Sequence, residues 1–249
     1  MLPKQTKQHI ARLQQKKYRK EFGEFLVEGV KGVEEAIDAG ADIVLIVVDG
    51  VRRDEAEFVE LIKKAEAKKL QVAYCGRNDV NAIKTTDTFP GVLAVLEIPD
   101  EVEFSKGPII CLNGLNDPGN LGTIIRTADW FGIKNILLSE DCVDPYNPKV
   151  VRSTMGSIFR TNIQSSTNIV QLLEKLKSKG YNIISLTMDG KDISKLKSHT
   201  KNIYVSGSES HGVSDEIIKL GESYTIPGKG EAESLNVAMA AGILMSKIY

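Results

Sequence analysis

The chain has 249 residues, 42% apolar and 26% charged, enough to bury a sizeable core as one large domain or two modest ones. Ordinary Gly (21) and Pro (8) content excludes collagen-like and low-complexity classes. The three scattered cysteines (Cys75, Cys111, Cys142) form no CxxC pair, so no disulfide framework or zinc site is readable, and reduced thiols in a cytoplasmic protein are expected. The longest apolar stretches, Ile43–Val48 and Val237–Met245, fall well short of the ~18 residues of a membrane span. The N-terminus carries no apolar run before its charges. A membrane partner and a secretory leader are therefore not expected.

The formal net charge of −1 hides an asymmetry. Lys4, Lys7, Arg12, Lys16, Lys17, Arg19 and Lys20 put seven positive charges and no acid into the first twenty residues. Such an arm suits a polyanion, because each neutralised phosphate releases condensed counterions. The alternative is a solvated amphipathic helix with Ile10, Leu13 and Tyr18 facing inward.

After the arm, strand and helix patterns alternate. Phe25–Glu28 reads as a strand, Val30–Ala39 as a helix stopped by Gly40, and Ile43–Asp49 as a β-branched strand buried on both faces. Asp54–Lys69 is helical, and Gln71–Tyr74 and Val92–Glu97 are further strands. The polar stretch 98–106 is the expected linker, dividing 1–97 from 107–249. Beyond it, strands are predicted at Ile109–Asn113, Asn135–Ser139, Asn182–Thr187, Ile203–Ser206 and Tyr224–Ile226. Helices are predicted at Gly122–Phe131, Ile169–Lys179, Asp215–Leu220 and Ser234–Ile248. This alternation predicts an α/β parallel sheet, whose ligands bind beyond the carboxyl ends of the strands.

Three loops leave those ends. The first, residues 113–133, carries the turn Asp117-Pro118-Gly119, then Asn120 as a candidate helix cap and Arg126 within the helix, groups suited to an anion or a sugar hydroxyl. The second, residues 205–217, spaces Gly207 and Gly212 as a P-loop would. Val213 stands where that motif needs Lys, so a nucleotide triphosphatase is excluded, and the absence of GxGxxG argues against a dinucleotide enzyme. What remains is a turn presenting Glu209. The third, residues 226–245, runs from Pro227-Gly228 to Ser234-Leu235-Asn236, where Ser234 is a candidate N-cap. The helix beyond is rich in small residues that allow close backbone approach.

Taken together, NDPGNLGTIIRTADWFG, GSESHGVS and IPGKGEAESLNVAMAAGIL resemble the three motifs of the SpoU/TrmH-type RNA 2′-O-ribose methyltransferases of the SPOUT superfamily. The resemblance covers about 107–249, and KKYRKEFGEFLVEG resembles the family's smaller N-terminal part. It implies a C-terminal SPOUT domain with a parallel sheet and a deep trefoil knot. With it comes a smaller α/β, L30e/L7Ae-like substrate-binding domain, and the whole works as a homodimer. It implies S-adenosylmethionine as cofactor, held mostly by backbone around Leu186, Thr187, Gly207, Ile226, Leu235 and Asn236. The family's catalytic positions fall on Asn120, Arg126, Glu209, Ser234 and Asn236. Two positions depart from the family pattern, Ser208 for the frequent Asn and Gly228 for the usual Met, both beside the cofactor.

The implied reaction is methylation of a ribose 2′-hydroxyl in structured RNA, ribosomal RNA being favoured over transfer RNA, with no metal. The alternative is a catalytically silent RNA-binding protein that keeps the fold. Arg126, contributed by the partner subunit, is expected to grip the substrate phosphate and polarise the 2′-hydroxyl. Arginine rarely gives up its proton, so a literal general-base role is disfavoured. His211 has the right chemistry for a base but no orienting partner that the sequence identifies.

Overall fold

In the computed structural model, which describes residues 2–85 and 88–249, the basic arm folds into two helices, α1 (Lys4–Leu13) and α2 (Lys16–Phe22). Both Ile10 and Leu13 are buried, and Tyr18 is half-buried and stacks on Phe22. The following elements are β1 (Glu24–Glu28), α3 (Val30–Ala39), β2 (Ile43–Asp49), α4 (Ala56–Ala67), β3 (Val72–Cys75), α5 (Arg77–Ile83) and β4 (Val92–Glu97). The four strands form a mixed sheet in the order β1-β4-β2-β3, with β4 antiparallel to both neighbours and β2 parallel to β3. Ile10 and Leu13 pack with Leu26, Val47, Ile83 and Leu93 in one apolar cluster, so the arm is part of this unit's core.

Two of the arm's cations are paired within this unit, Arg19 buried and Lys7 half-buried. Arg19 is 2% exposed, donates from Nε to Asp144 Oδ2 at 2.7 Å, and donates to the Leu13 carbonyl at 2.8 Å. This corrects its assignment as an RNA contact, because a guanidinium buried on a carboxylate has no free donor face for phosphate. Lys7 Nζ pairs with Asp79 Oδ1 at 2.7 Å. Asp79, 1% exposed, also accepts from the backbone N–H groups of Leu2 and Gly76. The Lys7 hydrogen bond, followed by those two, holds its carboxyl down at about 2. Lys4, Arg12, Lys16, Lys17 and Lys20 stay exposed.

The second unit comprises Glu101–Val143 and Arg160–Tyr249. It contains β5 (Ile109–Leu112), α6 (Pro118–Trp130) and β6 (Asn135–Ser139) before the chain leaves it. After the chain returns come β7 (Asn162–Ser166), α8 (Ile169–Ser178), β8 (Asn182–Asp192), β9 (Asn202–Ser206), α9 (Asp215–Ile218), β10 (Glu222–Thr225) and α10 (Val237–Ile248). All six strands are parallel, in the order β10-β8-β9-β5-β6-β7. One face buries Ile109, Cys111, Ile183, Ile203 and Val205 against Leu173 and Leu176 of α8 and Ile217 of α9. Residues one step along each strand, such as Leu112, Tyr204 and Ser206, look to the opposite face, and α6 and α10 pack on one another. Cys111 lies inside this core, where burial pushes its thiol well above the ordinary range. Cys75 is likewise raised, to about 11, so neither is a nucleophile.

The strand β8 is longer than its expected range and irregular. It pairs with β10 at Ile184 and Ser185 and again at Lys191 and Asp192, so Leu186–Gly190 loop out between the two contacts. Gly190 lies so close to the Ser223–Tyr224 peptide that a Cβ there would come within 2.8 Å of it. Residues 144–159, read from sequence as part of the C-terminal half, group with the first unit, Met1–Asp100. This segment includes α7 (Pro148–Thr154). Its Arg152 reaches Thr85 Oγ1 at 3.0 Å and Glu28 at 3.4 Å.

Candidate active site

The strand order reverses direction between β5 and β9. From β5 the chain steps outward to β6 and β7, whereas β8 and β9 lie on the other side. Crevices at the carboxyl ends of such strands are where open α/β sheets bind ligands. Asn113 N donates to the Ser206 carbonyl at 2.9 Å, and Ser214 N donates to Asn113 Oδ1 at 3.1 Å, which ties the first loop to the second.

The second loop is a tight turn. Ser208 and Gly212 exchange backbone hydrogen bonds of 3.2 and 2.9 Å. Any Cβ on Gly207 would fall 1.9 Å from the Gly212 carbonyl carbon, so only bare backbone fits. Gly212 itself has φ +68°. Glu209 therefore projects from the turn's tip.

Asn120 does not cap α6, as the sequence suggested. Asp117 is the N-cap, with Pro118 at the first helical position, and its Oδ1 accepts from Asn120 N at 2.7 Å. That leaves the Asn120 side chain free. Its Nδ2 donates to Glu209 Oε1, and its Oδ1 accepts from Asn236 Nδ2 at 3.1 Å. Ser234 is likewise not the cap of α10. Asn236 is, its Oδ1 accepting from Ala238 N at 2.9 Å and Met239 N at 3.3 Å. The result is a hydrogen-bonded chain, Glu209–Asn120–Asn236, that joins three loops far apart in sequence and leaves Glu209 and Asn236 exposed and Asn120 half-buried between them.

The other expected site residues take separate places. Ser234 is exposed on the approach to α10 and makes no hydrogen bond among the described residues. Arg126 lies six residues beyond Asn120 on α6, roughly 240° round the helix and ~9 Å along it, so this chain does not bring the two together. It is exposed and unpaired among the described residues, in an outward stripe with Thr123 and Trp130. Leu186 and Thr187 begin the looped-out segment of β8, where Thr187 Oγ1 donates to the Asp189 carbonyl at 2.8 Å. Gly207 and Ile226 follow the ends of β9 and β10, and Leu235, half exposed, precedes the α10 cap. His211 has a neighbour that the sequence did not reveal, Ser210 Oγ at 2.8 Å from Nδ1.

Two polar groups escaped the sequence reading. Ser185 Oγ, in β8 just before its looped-out segment, and Ser206 Oγ, at the end of β9, are buried and without a partner among the described residues. Among the same residues no group of three or more His, Cys, Asp or Glu side chains could hold a metal ion, and no helix is long and apolar enough to cross a membrane.

Residues 4–94 match the MRM3-like substrate binding domain. The chain is 29% identical over 236 residues to the 23S rRNA (guanosine(2553)-2′-O)-methyltransferase RlmP of Bacillus subtilis, covering 94% of this chain and 92% of that one. The crystal structure of an AdoMet-bound rRNA methyltransferase from Sinorhizobium meliloti superposes with a TM-score of 0.86 at 28% identity, over 100% of this chain and 95% of that one. The fold also matches the SpoU methyltransferase AviRb of Streptomyces viridochromogenes, with a TM-score of 0.89 at 23% identity over 99% and 97% of the two chains. With residues 107–246 matching its signature domain, the chain belongs to the SpoU rRNA Methylase family.

Proposed function

We propose that this protein transfers a methyl group from S-adenosylmethionine to a ribose 2′-hydroxyl of ribosomal RNA. The observation that carries the reading is the Glu209–Asn120–Asn236 chain at the switch point of the parallel sheet. RlmP, a relative over nearly the whole chain, is named for that reaction on 23S rRNA, and the Sinorhizobium meliloti structure holds AdoMet.

The residues present fit the cofactor. Leu186 in β8 and Gly207 and Ile226 just past β9 and β10 offer backbone groups, Leu235 before α10 adds apolar surface, and the unpartnered buried hydroxyl of Ser206 directly precedes Gly207. Bound there, S-adenosylmethionine supplies an electrophilic methyl on a sulfonium. The protein's remaining task is to position the ribose oxygen and stabilise the charge that develops on it. Glu209, fixed by Asn120, and Asn236, fixed by its role as a cap, are rigid polar groups facing the incoming ribose. Arg126 grips the adjoining phosphate and polarises the 2′-hydroxyl.

Because Arg126 lies on a different side of α6 from Asn120, its site is completed by a second copy. Support comes from the outward stripe on the packed pair α6 and α10: Trp130 is 83% and Met239 61% exposed, with Ile243 and Tyr249 also exposed. An apolar surface of that kind suits an isologous homodimer contact. The family's trefoil knot is part of this reading, and the close backbone approaches between separate segments, Gly190 to Ser223–Tyr224 and Gly221 to Ile183, accord with it. The mixed four-stranded sheet of the first unit supports the L30e/L7Ae-like reading. Exposed Lys4, Arg12, Lys16, Lys17 and Lys20 are its proposed RNA contacts, with Arg12 and Lys17 lying over the Tyr18 ring.

The test is to map ribose methylation across cellular RNA with and without the gene, and to add the purified protein with labelled S-adenosylmethionine to RNA lacking the mark. Loss and restoration of one 2′-O-methyl nucleotide in ribosomal RNA is the expected result. Absence of both methyl incorporation and cofactor affinity overturns the proposal.

A further inference from the structure

A buried hydroxyl without a hydrogen-bond partner is uncommon in a folded protein, and costly. Among the described residues two stand in adjacent strands of one sheet, Ser185 Oγ, on a residue 1% exposed, and Ser206 Oγ, on a residue 3% exposed. Each stands immediately before a position at which backbone is expected to meet the cofactor, Leu186 and Gly207.

The two point to opposite faces. Ser185 is level with Val205, and Val205 packs with Ile183 against α8 and α9. Ser206 is level with Leu112 and shares its face with Tyr204 and Asn202, two and four residues earlier. On that face Asn202 Nδ2 donates to Tyr204 Oη at 2.9 Å, and Ser198 Oγ, which also bonds Tyr204, donates to the carbonyl of Ile248 in α10. Ser206 therefore belongs to the α10 side of the sheet. The Ile226–Asn236 segment leads into that helix, and Asn236 meets Asn120 at its start.

We infer that Ser206 Oγ is a direct hydrogen-bonding contact for the nucleoside part of S-adenosylmethionine, and that Ser185 Oγ is not. The inference rests on the methyl-transfer reading above. A hydroxyl both donates and accepts, which matches the ring nitrogens and exocyclic amine of a purine. Gly207, which follows Ser206, offers bare backbone, and the other expected cofactor positions Ile226 and Leu235 are apolar, a lining that suits a flat apolar base better than the zwitterionic amino-acid end. Ser206 thus gives a site built chiefly of backbone one polar side chain with which to fix the base.

The experiment is calorimetric titration of the full-length protein and its Ser206→Ala and Ser185→Ala variants with S-adenosylmethionine and with 5′-methylthioadenosine, which lacks the amino-acid end. Thermal unfolding is followed with and without each ligand. Ser206→Ala is expected to weaken both ligands about 10-fold and to shrink the ligand-induced rise in Tm. The Tm of the free protein should hold or rise, because an unsatisfied buried group has been removed. Ser185→Ala is expected to leave both affinities within about twofold. Ser206→Cys, which conserves shape with a weaker hydrogen bond, is expected to follow the alanine variant. If the unaltered protein binds and Ser206→Ala binds as well, the inference is overturned while the methyl-transfer reading stands. Weakening of S-adenosylmethionine alone, with 5′-methylthioadenosine unaffected, also overturns it, as does a fall in the free protein's Tm that accounts for the loss. If the unaltered protein binds neither ligand, the underlying reading fails first.

Discussion

Replacing Asn120 with Ala removes the centre of the three-loop link. The variant loses the hydrogen bond from Nδ2 to Glu209 and the one Oδ1 accepts from Asn236. It keeps the helix start, because Asp117 Oδ1 is bound to the backbone N–H of residue 120, which alanine retains. Stability should therefore fall by no more than ~1 kcal/mol, the net value of a hydrogen bond at a half-buried position. A hydrogen bond to a charged group contributes ~1.5–3 kcal/mol. If that bond positions Glu209 in the transition state, its loss lowers kcat/KM roughly 10- to 150-fold. Asn120→Asp should be at least as damaging, since it sets a second carboxylate against Glu209. The assay is initial-rate transfer of labelled methyl to ribosomal RNA from a strain lacking the gene, with cofactor binding checked by calorimetry. An Asn120→Ala protein that folds, binds cofactor and keeps more than half its kcat/KM would refute the claim that this link organises the reaction.

Arg126→Ala should lose at least ~10- to 150-fold in kcat/KM by the same reckoning. Co-expressing it with the Asn120→Ala chain should regain activity in mixed dimers, whereas a same-chain arginine would leave mixtures as inactive as their parents. Asp79→Asn should destabilise the first unit at neutral pH by about 2 kcal/mol, the linkage value of a carboxyl lowered from 3.8 to about 2. Because the folded-state value is the lower one, that contribution is complete above pH 3.8 and disappears as pH falls through about 2. Urea titrations of the two proteins should therefore converge over that interval. Arg19→Ala strands the Asp144 carboxylate, 12% exposed, and should cost ~3–5 kcal/mol. The double change Arg19→Met with Asp144→Leu should cost far less by urea unfolding, because no buried charge is left alone.

Much of the catalytic unit was legible because its strands are apolar runs with turn residues at their ends. The polar strand β7, NIQSS, gave no such signal. The caps show a finer limit. Asp117 and Asn120, like Ser234 and Asn236, are all competent caps, and only the path of the backbone decides which side chain reaches the free N–H groups. The motif positions themselves could be named from the chain, but the link between Asn120 and Glu209, 89 residues apart, is a product of strand order. The arm misled for a related reason. Arg19 sits among surface-like cations, and the carboxylate that draws it inside lies 125 residues away.

The excursion of residues 144–159 into the first unit bears on how this protein can be taken apart. A fragment cut at residue 100 would carry those sixteen residues without Arg19, Glu28 and Thr85, leaving Asp144 and Arg152 bereft of the groups that neutralise them. Gene fusions, limited digestion and domain exchange within the family would all inherit that defect. A clean dissection must bridge Val143 directly to Arg160 with a short linker and leave the intervening helix with the other half.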